Sequence, residues 1–366
     1  MIWAWNHQHG RKAGAKAGRT PRLPGLGNVA RRLVSALAVV FMVLGALACE
    51  PAGSGRLVGP AAPTDTQVEV LVGGDRSIDA ARIDKGAALH RALSQFFRWF
   101  LFYDNDRIAF DDHLAMLSPE ATFQKDDESF SAREHYIQRA LALPRTMDSA
   151  HFPRRIRAYF ADDKRIRLDA DLIYLNRGAL PEGRVHANHL TYSMLTLDQA
   201  PAPLVEEVKI MVGKGGVTPT FRKAYAQNRL RSAAHFWLSL LDDPAHPIDP
   251  VRPLFSPVFT VNVSGKRLTD FEALADWLNG PDYGEAPTHH VIRTFAFEEL
   301  VANEFEIEMD LDRYVIKDGV MSRVTVRQNI LVQDNPGAPY PLITLITERS
   351  ALDLQEERAQ SNLSVR

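Results

Sequence analysis

The chain has 366 residues, 45% of them hydrophobic and 24% charged, a globular composition too long for one small domain. Its single cysteine excludes a disulfide framework and a Cys-rich zinc site, and its abundant charge argues against a disordered or multi-span membrane chain. The net charge of −2 is unevenly spread: residues 1–49 hold seven Lys or Arg and no acid, so the remainder, with 36 basic against 45 acidic residues, carries about −9, which argues against nucleic-acid binding.

After Arg31-Arg32, the stretch from Leu33 to Ala48 is apolar except for Ser35. It falls short of the roughly 20 residues of a spanning helix, and a basic segment, a short apolar core and small closing residues describe a secretory signal. The sole cysteine, Cys49, follows at once. Ala46-Leu47-Ala48-Cys49 resembles the lipobox of bacterial lipoproteins, departing from it at Ala46, where Leu is usual. The resemblance implies a lipoprotein-type signal over 1–49, lipidation at Cys49 and an exported protein anchored in the bacterial envelope, at the outer membrane or periplasmic face. A plain secretory signal with an incidental cysteine is the alternative. The leader before Arg31 is long, and a translation start near Val29 would give a signal of ordinary length. Residues 50–80 begin with a Pro-, Gly-, Ala- and Ser-rich run that reads as a flexible tether, and 353–366 read as a polar tail.

The rest divides into two similar units, 81–213 and 226–352, joined by a Gly-rich linker over 214–225. Each opens with an amphipathic helical pattern, at 88–104 and 229–243. A second short helix is expected to end at Leu117-Ser118-Pro119 and at Phe255-Ser256-Pro257, and a third, closed by proline, lies at 132–144 and 270–281. Strands follow. Ile166, Leu168, Ala170 and Leu172 alternate with Arg165, Arg167, Asp169 and Asp171, and Ile307, Met309 and Leu311 alternate with Glu306, Glu308, Asp310 and Asp312. A period of two with one apolar face predicts antiparallel sheet with one side on a core. Two further strands end each unit. The fold class is α+β, helices packed on one face of each sheet.

This order of helices and long strands resembles the nuclear transport factor 2-like superfamily, and in detail its SnoaL-like branch, which implies two tandem cone-shaped, cystatin-like domains. That branch often carries an Asp or Tyr near the end of the first helix and a Ser/Thr-x-His opening the first long strand. Tyr103-Asp104 and Ser149-Ala150-His151 hold those places in the first unit, and Asp242-Asp243 and Thr288-His289-His290 in the second. The resemblance nominates Tyr103, Asp104 and His151, and His235, Asp242 and His290, as acid–base groups against an apolar pocket. Members of that superfamily commonly pair sheet to sheet as dimers, so it also implies that the two units form such a sheet-to-sheet pair within the chain.

Each nomination has a plainer reading. Asp104 and Asp242 stand where helices end and turns begin, and His235 lies on an aromatic helical face, so capping and core packing compete with catalysis. The pairs Asp169/Asp171 and Asp310/Asp312 fall on the charged strand face and are not read as a catalytic carboxylate pair. His186-x-x-His189 points to opposite faces on a strand and would converge only on a loop, with no third ligand in view, so no metal or cofactor is assigned. The leading expectation is an envelope lipoprotein that binds a small apolar ligand or an envelope protein without catalysis. The rival is a cofactor-free isomerase, cyclase or dehydratase that uses a His–Asp pair.

Overall fold

The computed structural model describes residues 66–71, 80–104, 113–131, 134, 138, 148–177, 185–215, 221–280, 288–317, 320–335 and 338–350. The signal, Cys49, most of the tether, nearly all of the 132–144 helix, part of the linker and the tail lie outside them.

The strict alternation at 165–172 and 306–312 produces long strands. In the first half, β1 (Gln67–Leu71), α1 (Ala80–Asp104), β2 (Leu117–Lys125) and β3 (Glu128–Ser131) precede β4 (Asp148–Phe160), β5 (Arg165–Arg177), β6 (His186–Leu197) and β7 (Leu204–Val212). In the second, α2 (Phe221–Leu241), a 3-10 turn at Arg252–Leu254, β8 (Phe255–Val263), β9 (Lys266–Leu268) and α3 (Phe271–Leu278) precede β10 (Thr288–Val301), β11 (Glu304–Lys317), β12 (Val320–Gln333) and β13 (Leu342–Ser350). The sheets run β1-β4-β5-β6-β7-β2-β3 and β10-β11-β12-β13-β8-β9. The chain is thus α+β, with two tandem curved sheets carrying helices, as the patterning predicts.

Two expectations are corrected. The sheets are mixed: the four long strands of each pair antiparallel, but β2 lies parallel to β7, β8 parallel to β13 and β1 parallel to β4. The Ser-Pro steps at 118–119 and 256–257 also do not close helices; they lie inside β2 and β8. Both prolines fall where the register slips, between Leu117 and Thr122 and between Phe255 and Thr260. A proline has no N–H to give a ladder, so a strand admits it at such a bulge.

The alternating apolar residues of β5 and β11 are buried as predicted, with Ile166, Leu168, Leu172, Met309 and Leu311 all fully enclosed. The long helices are buried nearly all round, which explains why their aromatics do not form one stripe. Leu89, Phe96, Phe97, Trp99 and Phe100 of α1 and Leu230, Trp237 and Leu238 of α2 share one core with both sheets. The helices cross antiparallel: Ser94 meets Ser239, Arg98 lies over Phe236, and His90 reaches Asp242. Each helix therefore spans both halves. The C-terminal part of α1 packs under its own sheet, while Gly86 near its start lies against His289 of β10. The start of α2 does the converse, with Phe221 and Ala224 clustered with Ala150, Phe152, Ile173 and Leu175. The halves are thus joined through their long helices, helix on helix and helix on sheet, and not by the sheet-to-sheet pairing expected from the sequence.

One buried ion pair fixes α2 to the second sheet. Arg229 donates from Nε and Nη2 to the Asp334 carboxylate at 2.7–3.0 Å, and both side chains are almost wholly enclosed. Removing one partner of such a pair leaves a buried charge unanswered. Asp334→Ala is expected to cost about 3–5 kcal/mol in urea unfolding, and Arg229→Met with Asp334→Leu together much less.

Candidate active site

Both halves build the same core motif from two local rules. A helix ends in an aspartate, and the strand that follows opens with Ser/Thr-x-His. In the first half Asp104 accepts from Ser149 Oγ at 2.9 Å, from the His151 backbone N–H at 2.8 Å, and pairs with His151 Nδ1 at 2.6 Å. In the second half Asp242 accepts from the His290 N–H at 3.1 Å, pairs with His290 Nδ1 at 2.6 Å, and has Thr288 Oγ1 at 3.3 Å. These aspartates therefore do more than cap turns. In each pair the Nδ1 position faces the carboxylate, which fixes a neutral ring as the tautomer with its lone pair on Nε2.

The surroundings of the two pairs differ. His151 lies among the rings of Phe100, Tyr103 and Tyr174, with centroids 4.5, 5.3 and 4.8 Å away. Asp242 instead sits in a nest of histidines. His90, from the first half, pairs through Nδ1 with Asp242 Oδ2 at 2.8 Å and through Nε2 with His235 Nδ1 at 3.2 Å. His235 stacks on Phe97 at 4.7 Å. His289 Nδ1 lies 3.7 Å from Asp242 Oδ2, beyond hydrogen-bond reach. A cavity of about 1000 Å³ adjoins this nest, bordered by His90, His235, His289 and His290 together with Tyr314 and Phe295.

The repeat makes each half a control for the other. The shift that takes Asp104 to Asp242 takes His90 to Asn228, Phe97 to His235 and Gly86 to Ala224. The shift that takes His151 to His290 takes Ala150 to His289. Three of the four histidines around Asp242 thus have no histidine counterpart in the other half: His235 and His289 of the second, and His90 of the first. The Gly86/His289 contact also has a compensating partner: a Cβ on Gly86 would lie 2.5 Å from the His289 ring, whereas Ala224 and Ala150 share one apolar cluster in the first half. The imidazole occupies the space of the missing Cβ.

Burial decides the charges. Enclosure lowers the His90 pKa despite its bond to Asp242, and lowers that of His235 much further, helped by the neighbouring His90 and Arg231. Burial by itself would raise the Asp242 carboxyl, but His290 and the other imidazoles hold it well below the usual carboxylate range. The centre holds an ionised carboxylate, and His90 and His235 beside it resist a second proton. Its His235 Nε2 and His289 Nδ1 are buried without a hydrogen-bond partner among the described residues.

His90, Asp242 and His289 bring ligand atoms within 4.8 Å of one another, the set of described residues most suited to a metal ion. As placed, His90 Nδ1 and Asp242 Oδ2 are 2.8 Å apart and share a proton, whereas two ligands of one tetrahedral zinc at about 2.0–2.1 Å each lie about 3.3 Å from one another. The arrangement is that of a hydrogen-bonded acid–base cluster.

Of the nominated residues, the structure joins Asp104 with His151 and Asp242 with His290, seats Tyr103 against His151, and brings His235 to Asp242 only through His90. His186 and His189 lie on β6, whose alternation sends them to opposite faces. Asp169 and Asp310 serve cross-strand contacts with Tyr159 and Ser193, and with Arg327 and Thr294. His90, His289 in its own right and Gly86 escaped the sequence reading. Comparing the repeats position by position would have flagged His289, while His90 needed the helix crossing.

No family model matches the sequence, and no curated protein matches it. Solved structures similar to it include a nuclear transport factor 2-like superfamily protein from Salmonella enterica (14% identity over 33% of this chain and 87% of that one, TM-score 0.30). Others are a protein with a cystatin-like fold from Novosphingobium aromaticivorans (10%, 35% and 86%, TM-score 0.30) and a hexachlorocyclohexane dehydrochlorinase (12%, 36% and 96%, TM-score 0.28).

Gly86→Ala gains roughly 1 kcal/mol of helix propensity but drives a Cβ into the His289 ring, so a net loss of about 1–3 kcal/mol is expected in urea unfolding. Gly86→Ala with His289→Ala recreates the first half's Ala/Ala contact and is expected to recover that loss. For pH, the sign follows from neutral His90 and His235 in the folded state. Below the ordinary histidine value of about 6.5 the unfolded chain binds protons that the folded chain refuses, so stability is full above that pH and falls below it. Asp242, with its lowered pKa, adds loss only at far lower pH. His235→Phe, which copies Phe97, is expected to flatten the decline between about pH 7 and 5 in thermal melts at stepped pH.

Proposed function

We propose that the second domain is the working one, and that it binds a small molecule in its cone and moves a proton on it through His290, oriented by Asp242. One observation carries this reading: His290, paired with the enclosed Asp242 at 2.6 Å, borders a cavity of about 1000 Å³, a volume suited to a small organic ligand. Asp242 fixes the His290 tautomer and stabilises the imidazolium formed when the ring takes a proton. His90 and His235 extend the hydrogen-bonded line and keep the carboxylate in place. The chemistry this supports is a cofactor-free isomerisation, cyclisation or dehydration, in which a proton leaves one carbon or oxygen and returns to another. The first domain serves as scaffold and contributes His90, so neither half has the whole site. Non-catalytic binding in the same cavity is the reading that prevails if no proton moves.

The signal and lipobox-like sequence ending at Cys49 support an exported protein held at the envelope membrane by lipid. The domain limits read from the sequence, 81–213 and 226–352, remain part of this proposal, widened to take in β1 (Gln67–Leu71), which joins the first sheet from within the expected tether, and the start of α2 at Phe221, within the expected linker.

The test is hydrogen–deuterium exchange in heavy water, followed by NMR on a panel of small ketones and enones. Wild-type protein is expected to accelerate exchange next to the carbonyl. His290→Gln should lower the rate by about 10²–10⁴-fold, and His151→Gln, in the first half, should leave it nearly unchanged. Equal loss from both variants, or none from His290→Gln, overturns the assignment.

A further inference from the structure

Arg231 of α2 borders the same cavity and is 3% exposed, with its guanidinium carbon 4.1 Å from the centroid of the Phe295 ring. The first half has Leu93 and Ile156 at the corresponding places, both in the apolar core. Enclosing a guanidinium costs several kcal/mol, and the first half shows that this fold accepts leucine there. Stacking on Phe295 directs the N–H groups along the guanidinium plane, the edge with which arginine meets a carboxylate.

The rest of the wall has the same sign. Arg82, Arg293 and Arg323 also border the cavity, and among the described residues its lining includes no Asp or Glu. Arg293 is the extra residue at a β10 bulge between Ile292 and Thr294, a feature that re-aims a side chain. Asp312 answers Arg293 directly and Arg323 at 3.8 Å. Ile83, Val291 and Met321 supply apolar wall. This arginine-rich lining belongs to a chain that carries about −9 beyond residue 49.

The geometry points to an organic carboxylate, one acid group on an apolar body, as the occupant of this cavity, with Arg231 receiving the acid group. This names the substrate class for the site proposed above and rests on that reading for its catalytic sense. Arg231 is a specificity-determining residue: it holds the charged end, leaving the body within reach of the His290–Asp242 pair.

The test is calorimetric titration of the full chain with 2-naphthoate and with its neutral counterpart 2-naphthamide. Naphthoate is expected to bind at least about tenfold tighter at low salt, with the difference shrinking as salt is added. Arg231→Leu, which installs the residue of the first half, should bring the ratio close to one by weakening naphthoate, and Arg231→Lys should keep part of the preference. Arg323→Gln, at a half-exposed site where folding is not at stake, should weaken naphthoate by about two- to fivefold. Equal affinity for the two probes, a ratio untouched by both Arg231→Leu and Arg323→Gln, or no binding of either probe at millimolar concentration overturns the proposal. His290→Gln separates it from the catalytic reading. Naphthoate preference retained while exchange is lost supports both. Preference without exchange in the wild type sinks only the proton-transfer role, and exchange without preference sinks only the carboxylate.

Discussion

A carboxylate with no exposed surface stays ionised only if protein donors replace the water it has lost, and the Asp242 side chain is fully enclosed. Its oxygens are met by the His290 N–H, by the Nδ1 atoms of His290 and His90, and by the Thr288 hydroxyl. Those donors come from one helix of the first half and one strand of the second. The crossing of α1 over α2, the register of β10 against β11 and the absence of a side chain at Gly86 all serve the same requirement. If the helix crossing shifted by a turn, His90 would leave Asp242, and a buried charge would lose one of its strongest partners.

The first half meets the same requirement more simply. Asp104 is answered by Ser149 and His151, and aromatic rings close over the imidazole. The duplicated unit therefore exists here in two states of elaboration. The Asp–His pair belongs to the architecture, because it ties the end of a helix to the start of a strand in both halves. His90 reaches this site from the first copy, with Asn228 as its counterpart, and His235, His289 and Arg231 are added in the second copy only. None improves packing over its counterpart; Phe97, Ala150 and Leu93 are the cheaper residues for a core. Polar groups placed in a core against that gradient mark where the molecule does something other than fold.

Helix exchange explains why the tandem arrangement matters. Each long helix begins against the other half's sheet and ends under its own, so the start of α1 forms part of the second site. Two unlinked copies could diverge only together. In one chain, the first copy can keep its simpler Asp104–His151 pair while its helix carries His90 to the second. The ion pair between Arg229 and Asp334 holds α2 to the second sheet from within, and so fixes the platform that carries Arg231 and His235.

The sequence by itself determined the repeat, the α+β class, the alternating strands and the two Asp/Ser-Thr-x-His motifs, because each depends on a short-range period or a local spacing. Strand alternation at 165–172 and 306–312 leaves the core face no choice, and a Ser/Thr-x-His at a strand start can reach only the helix end beside it. It misplaced the Ser-Pro steps at 118–119 and 256–257, since a proline that stops a helix and one that sits in a bulge look alike until the pairing partner is known. Only the tertiary structure brought the histidines of both halves around Asp242, beside the cavity of about 1000 Å³. His90 and Asp242 lie far apart along the chain, and their meeting depends on the antiparallel crossing of two helices that no local pattern encodes. The place of Gly86 is similar: a glycine inside a helix reads as a weakness until the His289 ring is seen filling the space where its Cβ would be.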